Sequence, residues 1–292
     1  MKIAQISDLH FSHPTFAPSQ LFSKRWIGNL NLLFSRRKEF ETASLFHLVE
    51  LFKKEGVDHI VITGDLTTTS FDKEFEAASQ LVEQFKQAKI QVFALPGNHD
   101  QYTKSAYRKQ LFYQFFPSCL GEKEGHPLEK FDLKKDKIAI KSLSPGWWLI
   151  LLDTAVATSL ISSRGLFSSE CEVSLEKALQ SIPKDQHIIL CNHFPFFDHE
   201  SPRKTLVGSS RLKALIQRFK NIKMYLHGHT HRHCLADLRG NGYPIILDSG
   251  STSHLEIGAW NLIEISPKDC KIQVFRYSLS GWHPAHQASF IW

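Results

Sequence analysis

The amino-acid sequence predicts an α/β fold with two β-sheets, and three observations carry that prediction. Short runs rich in Ile, Val, Leu and aromatic residues, bounded by Gly, Pro, Asn or Asp, recur along the chain as strands. In the first half they alternate with stretches of helical spacing, giving a βαβαβα order. The second half is richer in strands and ends in three or four of them in succession, so helices and sheets stack in layers.

In chain order, Lys2–Ile6 is the first strand. Glu39–Lys54 is helical because Leu45, Leu48, Val49 and Phe52 repeat at helical spacing. The strand His59–Thr63, the helix Asp72–Lys89, the strand Ile90–Leu95 and the helix Thr103–Phe116 follow. Ile138–Leu143 and Trp148–Asp153 are strands, and Ser168–Ser181 is a helix whose Ser168-Ser169-Glu170 start supplies an N-cap and a first-turn acid. The strand His187–Cys191 and the helix Ser209–Lys220 lead to four strands, Ile222–Leu226, Tyr243–Leu247, Leu262–Ile265 and Ile272–Tyr277. No repeat, low-complexity segment or linker interrupts the pattern, so residues 1–292 read as one domain.

Residues 11–38 stand apart as an insertion. After Pro14 and Pro18, the residues Trp26, Ile27, Leu30, Leu33 and Phe34 form an amphipathic stripe, weakened slightly by Gly28. The same stretch holds Lys24, Arg25, Arg36, Arg37 and Lys38 and no acid, a local +5 out of the chain's net +6. The near-neutral remainder argues against general nucleic-acid binding along a basic face. The segment either packs on the domain, caps an apolar or anionic substrate, or touches anionic lipid; the sequence leaves these open.

A hydrophobic fraction of 42% with 22% charged residues excludes disorder for most of the chain. Apolar runs such as Trp147 to Leu152 are far too short to span a bilayer. Cys119, Cys171, Cys191, Cys234 and Cys270 are scattered with no CxxC pair, which suits free thiols in a reducing cytoplasm. Cys191 reads as a buried small hydrophobe. The first strand runs straight into the Asp8 motif, so a cleaved leader is not expected. The expected location is the cytoplasm, with peripheral membrane contact through 11–38 as a further option.

Chemistry concentrates in five short motifs: Asp8-Leu9-His10, Gly64-Asp65, Gly97-Asn98-His99-Asp100, Asn192-His193 and Gly228-His229-Thr230-His231. Each ends or follows a strand, where an open α/β sheet places its site. Carboxylate, imidazole and amide oxygen are hard or borderline donors suited to a divalent ion. Asp65 has two oxygens with which to bridge a pair of ions, and Asn98 offers a carbonyl oxygen. Singly, each motif is a common surface pair or a tight turn; the ordered set is not. His99, backed by Asp100, is the candidate general acid, with Asp100 fixing the tautomer and keeping the imidazole charged. His227, His233, His199 and His254 stay outside the set, as packing or supporting residues.

This ordered set, D-x-H, G-D, G-N-H-[DE], an isolated H and G-H-x-H, resembles the calcineurin-like metallophosphoesterase superfamily from Asp8 through Gly250-Ser251. The resemblance implies a sandwich of two mixed sheets flanked by helices. It places Asp8, His10, Asp65 and His231 on one metal, and Asp65, Asn98, His193 and His229 on the second, with His99 acting on the substrate. The two divalent ions would be Mn, Fe or Zn, and a bridging hydroxide would be the nucleophile. Asn192-His193-Phe194-Pro195 and Gly165-Leu166 look closest to the bacterial cyclic-nucleotide phosphodiesterase-like branch.

The expected function is therefore a dinuclear phosphohydrolase acting on a small phosphodiester. A pyrophosphatase of nucleotide-linked lipids, similar to the UDP-diacylglucosamine hydrolases, is the alternative motivated by segment 11–38. Phosphomonoesterase action and a non-catalytic scaffold are further readings.

Overall fold

The computed structural model describes residues 1–13, 40–117, 127–159, 162–197 and 201–292. From residue 14 onward the amphipathic stripe of 11–38 lies outside the described residues, as do Cys119 and His199.

One sheet is built from β1 (Lys2–Ile6), β2 (His59–Ile62), β3 (Gln91–Ala94), β12 (Ala259–Ile265), β13 (Asp269–Ser278) and β14 (Gly281–Ile291), in the order β14-β13-β12-β1-β2-β3. Its first three strands run parallel, with Ile3 opposite His59 and Ile60 opposite Val92, and the β12–β14 arm is antiparallel. The other sheet holds β4 (Ile138–Ser144), β5 (Trp147–Leu152), β7 (His187–Cys191), β9 (Ile222–His227), β10 (His233–Asp237) and β11 (Ile245–Ser249), in the order β10-β11-β9-β7-β5-β4. Here β5, β7, β9 and β11 are parallel. A two-stranded parallel sheet, β6 (Gly165–Leu166) with β8 (Leu206–Val207), sits apart.

Side-chain alternation decides which layer each strand residue joins. In β5, Leu149 and Leu151 join the core shared with the first sheet, while Trp148, Ile150 and Leu152 face a second core. That second core is covered by α5 (Ser169–Ser181) and α6 (Ser209–Arg218), through Cys171, Leu175, Leu212 and Leu215. On the first sheet, α1 (Ala43–Glu55) and α2 (Asp72–Gln87) contribute Leu45, Leu48, Phe52, Phe75 and Phe85. The result is the sandwich of two mixed sheets between helices that the resemblance implied. A buried polar pin crosses it: Gln5 Nε2 donates to the carbonyls of His227 (3.0 Å) and Leu247 (3.1 Å), and its Oε1 accepts from Asn261 (3.0 Å).

Ser168 caps α5 as expected, its hydroxyl accepting from Cys171 N at 3.1 Å. The predicted helix Thr103–Phe116 is instead two, α3 (Lys104–Lys109) and α4 (Leu111–Phe115), because Gln110 adopts a left-handed φ of 54°. Strands β10 and β14 have no counterpart in the prediction. Both are sheet edges, half-exposed or exposed along most of their length, so they lack the apolar run that marks an interior strand. No described helix is long and apolar enough to cross a membrane.

Candidate metal centre

All five motifs sit just beyond the carboxyl ends of parallel strands, three on one sheet (β1, β2, β3) and two on the other (β7, β9). The two sheets therefore present their loops at one common end. The loops are laced together by backbone bonds: Asp8 N to Gly64 O (3.0 Å), His10 N to Asp65 O (3.1 Å) and Gly228 N to His193 O (3.0 Å). Two glycines allow the closeness. A Cβ on Gly97 would lie 2.2 Å from Asp65 Oδ1, and one on Gly228 would lie 1.9 Å from Ser7 Oγ and 2.5 Å from Asp8 Oδ2.

The donor atoms gather in two overlapping groups. In the first, Asp8 Oδ1 lies 3.2 Å from His231 Nε2 and 3.8 Å from His10 Nε2, and the two imidazole nitrogens are 3.0 Å apart. In the second, His193 Nε2 lies 3.4 Å from Asp65 Oδ2 and 3.1 Å from Asn98 Oδ1, which is 2.9 Å from His229 Nδ1. Asp8, Asp65 and His193 also gather within 4.8 Å, as do His10, Asp65 and His99, so Asp65 stands between the groups. All seven predicted ligands are brought together.

These spacings fit a cation. Ligand–metal bonds of about 2.0–2.2 Å put neighbouring donors about 3.0–3.5 Å apart on one ion. Buried Asp8 Oδ1, which faces the His10 and His231 nitrogens, makes no hydrogen bond among the described residues, an expensive arrangement for a carboxylate oxygen unless something else satisfies it. The outer atoms are held: Asp8 Oδ2 accepts from Ser7 Oγ (2.6 Å) and His229 N (3.0 Å), and His193 Nδ1 donates to Thr63 O (2.8 Å), turning Nε2 inward.

Electrostatics agree. Burial pushes the carboxyls of Asp8 and Asp65 up, but the surrounding imidazoles outweigh it and hold both below the usual carboxylate range. His193 is lowered by burial and raised more by Asp65 and Asp8, ending at about 9. Burial, then the charge of His193, takes His229 down to about 3, and burial with His231 takes His10 well below its ordinary value. Two ionised carboxylates thus favour positive charge at the centre, while His10 and His229 are held toward the neutral form and keep lone pairs for an ion.

One assignment needs correction. Asp100 does not back the His99 ring. Its carboxylate accepts from Leu66 N (3.2 Å), Thr67 N (2.9 Å), Thr67 Oγ1 (2.9 Å) and Gly97 N (3.0 Å), pinning the Asp65 and Asn98 loops to each other. Burial and the charge of Asp65 raise it to about 7. The partner of His99 Nδ1 is the Thr68 carbonyl at 2.6 Å, and His99 N donates to Asp65 Oδ1 at 2.7 Å. A backbone carbonyl leaves no trace in residue type, so no sequence signal pointed to it.

Other neighbours went unforeseen. Phe40 packs its ring on His10 (5.0 Å) and His231 (6.0 Å), with His254 beyond it at 5.6 Å. Thr230 Oγ1 donates to buried Asp248 at 2.6 Å, and Ser251 Oγ to Asp8 O at 2.7 Å. His227 is packed beside Asp248 at 3.3 Å and Cys191 is fully buried, as the sequence reading held.

Two solved structures share the architecture. A dimetal phosphatase from Danio rerio aligns over 99% of this chain and 98% of its own, with 12% identity and a TM-score of 0.65. A purple acid phosphatase from yellow lupin aligns over 99% of this chain and 53% of its own, with 10% identity and a TM-score of 0.65. No curated protein sequence matches the chain. The family model described as calcineurin-like phosphoesterase matches residues 1–233, most of the chain and all five motifs, and the chain belongs to that family.

Proposed function

We propose that the chain is a dinuclear metal-dependent phosphohydrolase whose preferred substrates are phosphodiesters. The observation that carries this reading is the meeting of seven donor side chains in two groups that share Asp65. Asp8, His10, His231 and Asp65 would hold one ion, and Asp65, Asn98, His193 and His229 the other; the donor types suit Mn, Fe or Zn. When bound, a pair of divalent ions acidifies water and neutralises phosphate oxygens.

The remaining work falls to the chain. The Thr68 carbonyl accepts Nδ1–H whether His99 is neutral or charged, so proton exchange is confined to Nε2. The His99 ring groups with Asp65 and His10, and its Nε2 would deliver a proton to the departing ester oxygen. Asp100 acts by positioning, holding the loops that carry Asp65 and Asn98. Phe40 covers His10 and His231 and limits water on that side. The diester preference is supported by the Asn192-His193-Phe194-Pro195 and Gly165-Leu166 resemblance.

Asp65→Asn should abolish hydrolysis of bis(p-nitrophenyl) phosphate and lower bound metal below two ions per chain, with the fold retained by circular dichroism. Unchanged turnover in this variant would end the reading. A panel with p-nitrophenyl phosphate and a nucleotide-diphospho lipid separates the diesterase from a monoesterase and a pyrophosphatase.

A further inference from the structure

We infer that a cavity on the His229 flank of the metal centre is a subsite for the organic arm of the substrate, an apolar body bearing a second anionic group. This deepens the phosphohydrolase reading and rests on it only for what the arm is joined to. The cavity measures about 600 Å³, within the range of small-molecule sites. It is walled by three segments, 156–159, 162–166 and 202–207.

Leu166 and Val207 face each other across β6 and β8 and are 39% and 41% exposed, an apolar pair left in water beside Val156 and Pro202. Arg164 immediately precedes β6. Arg203 lies on the adjoining segment, where its carbonyl accepts from Ser163 N at 2.9 Å, so the backbone holds both arginines at one rim. Among the described residues, neither guanidinium has an ionic or hydrogen-bonding partner and no carboxylate lines the cavity. A planar fork of donors without an acid suits a phosphate group.

The cavity is rigidly joined to the metal centre. His229 Nε2 meets the carbonyl of Lys204 at 2.9 Å, next to Arg203. Phe194 packs on His229 at 4.6 Å and so tightly on Gly165 that a Cβ there would lie 2.5 Å from its ring. An ester held at the metals therefore has an amphiphilic surface beside it for its second arm.

The test is direct binding to the full chain in chelator, where metals contribute nothing. Two soluble probes distinguish the sources of this chemistry: methylanthraniloyl-ADP has an aromatic body and dihexanoyl phosphatidic acid an acyl one. At least one should bind, and Arg164→Glu with Arg203→Glu should weaken it by about tenfold or more. Leu166→Ser with Val207→Ser should weaken the same probe, and thermal melts of both variants should match the parent because all four side chains are exposed. Failure of both probes to bind, or equal binding by parent and arginine variant, overturns the subsite. Probe binding by a metal-loaded chain that hydrolyses nothing would leave the subsite standing and sink the hydrolase reading instead.

Discussion

The His99 imidazole is fixed at three points: its backbone N–H on Asp65 Oδ1, its Nδ1 on Thr68 O, and its ring stacked on Tyr102 at 5.3 Å. Nε2 is the nitrogen that would act on the reacting group. His99→Asn should therefore cut turnover of an alkyl phosphodiester by about 10²–10⁴-fold, the usual worth of a general acid. The loss should be much smaller for bis(p-nitrophenyl) phosphate, whose leaving group departs without a proton, and metal content should not change. Equal losses on both substrates would remove the proton-donor role. Asp100→Asn gives the contrasting outcome. One oxygen is replaced by a donor facing the buried N–H groups of Leu66, Thr67 and Gly97, so stability should fall by roughly 2–3 kcal/mol. The alkaline limb of the pH–rate profile, where the general acid loses its proton, should stay in place, as it would not if Asp100 held the His99 ring.

At the scale of elements, the ligand loops are strained. Asp8, His10, Asp65, His229 and His231 have φ between 49° and 70°, the left-handed region. Each costs a non-glycine residue roughly 1–2 kcal/mol. In both Asp8-Leu9-His10 and His229-Thr230-His231 the outer residues face the site while the middle one turns away, Leu9 into the core and Thr230 onto Asp248. The strands deliver these turns and the interloop bonds hold them, but the clustered donors repel until a cation joins them. Divalent metal should accordingly raise the melting temperature. At a concentration a hundred times Kd the gain is about 2.7 kcal/mol, or roughly 4–5 °C for a chain of this size. Scanning calorimetry with chelator, Mn²⁺ and Zn²⁺ checks this; identical melting in all three would contradict a metal site.

Across the whole molecule, the sandwich depends on contacts between its sheets. His59 of β2 reaches Leu143 O of β4 at 3.2 Å. Burial lowers its pKa, outweighing the Leu143 carbonyl and the charge of Asp58. A histidine with a depressed folded pKa binds its proton more readily when unfolded. Its neutral state is therefore without penalty above the unfolded value near 6.5, and stability falls as pH drops through that value toward the folded one. His59→Leu should flatten part of this acid limb in urea titrations between about pH 7 and 5. An unchanged difference between parent and variant across that range would show that His59 does not titrate on unfolding.

The sequence by itself determined where the interior strands lie along the chain, the layered class and which seven side chains gather beyond the strand ends. Strong apolar alternation and chemically specific residues are both written in residue type. The edge strands β10 and β14 were illegible because they bury too little to show a pattern. The break at Gln110 was illegible because its φ is set by how α3 and α4 pack. Only the tertiary structure decided which atom serves which partner: Thr68 O instead of Asp100 for His99, Phe40 over His10, and the Arg164–Arg203 rim beside His229. Those relations join residues far apart in the chain, through backbone carbonyls and exposed side chains whose surroundings exist only once the two sheets have met.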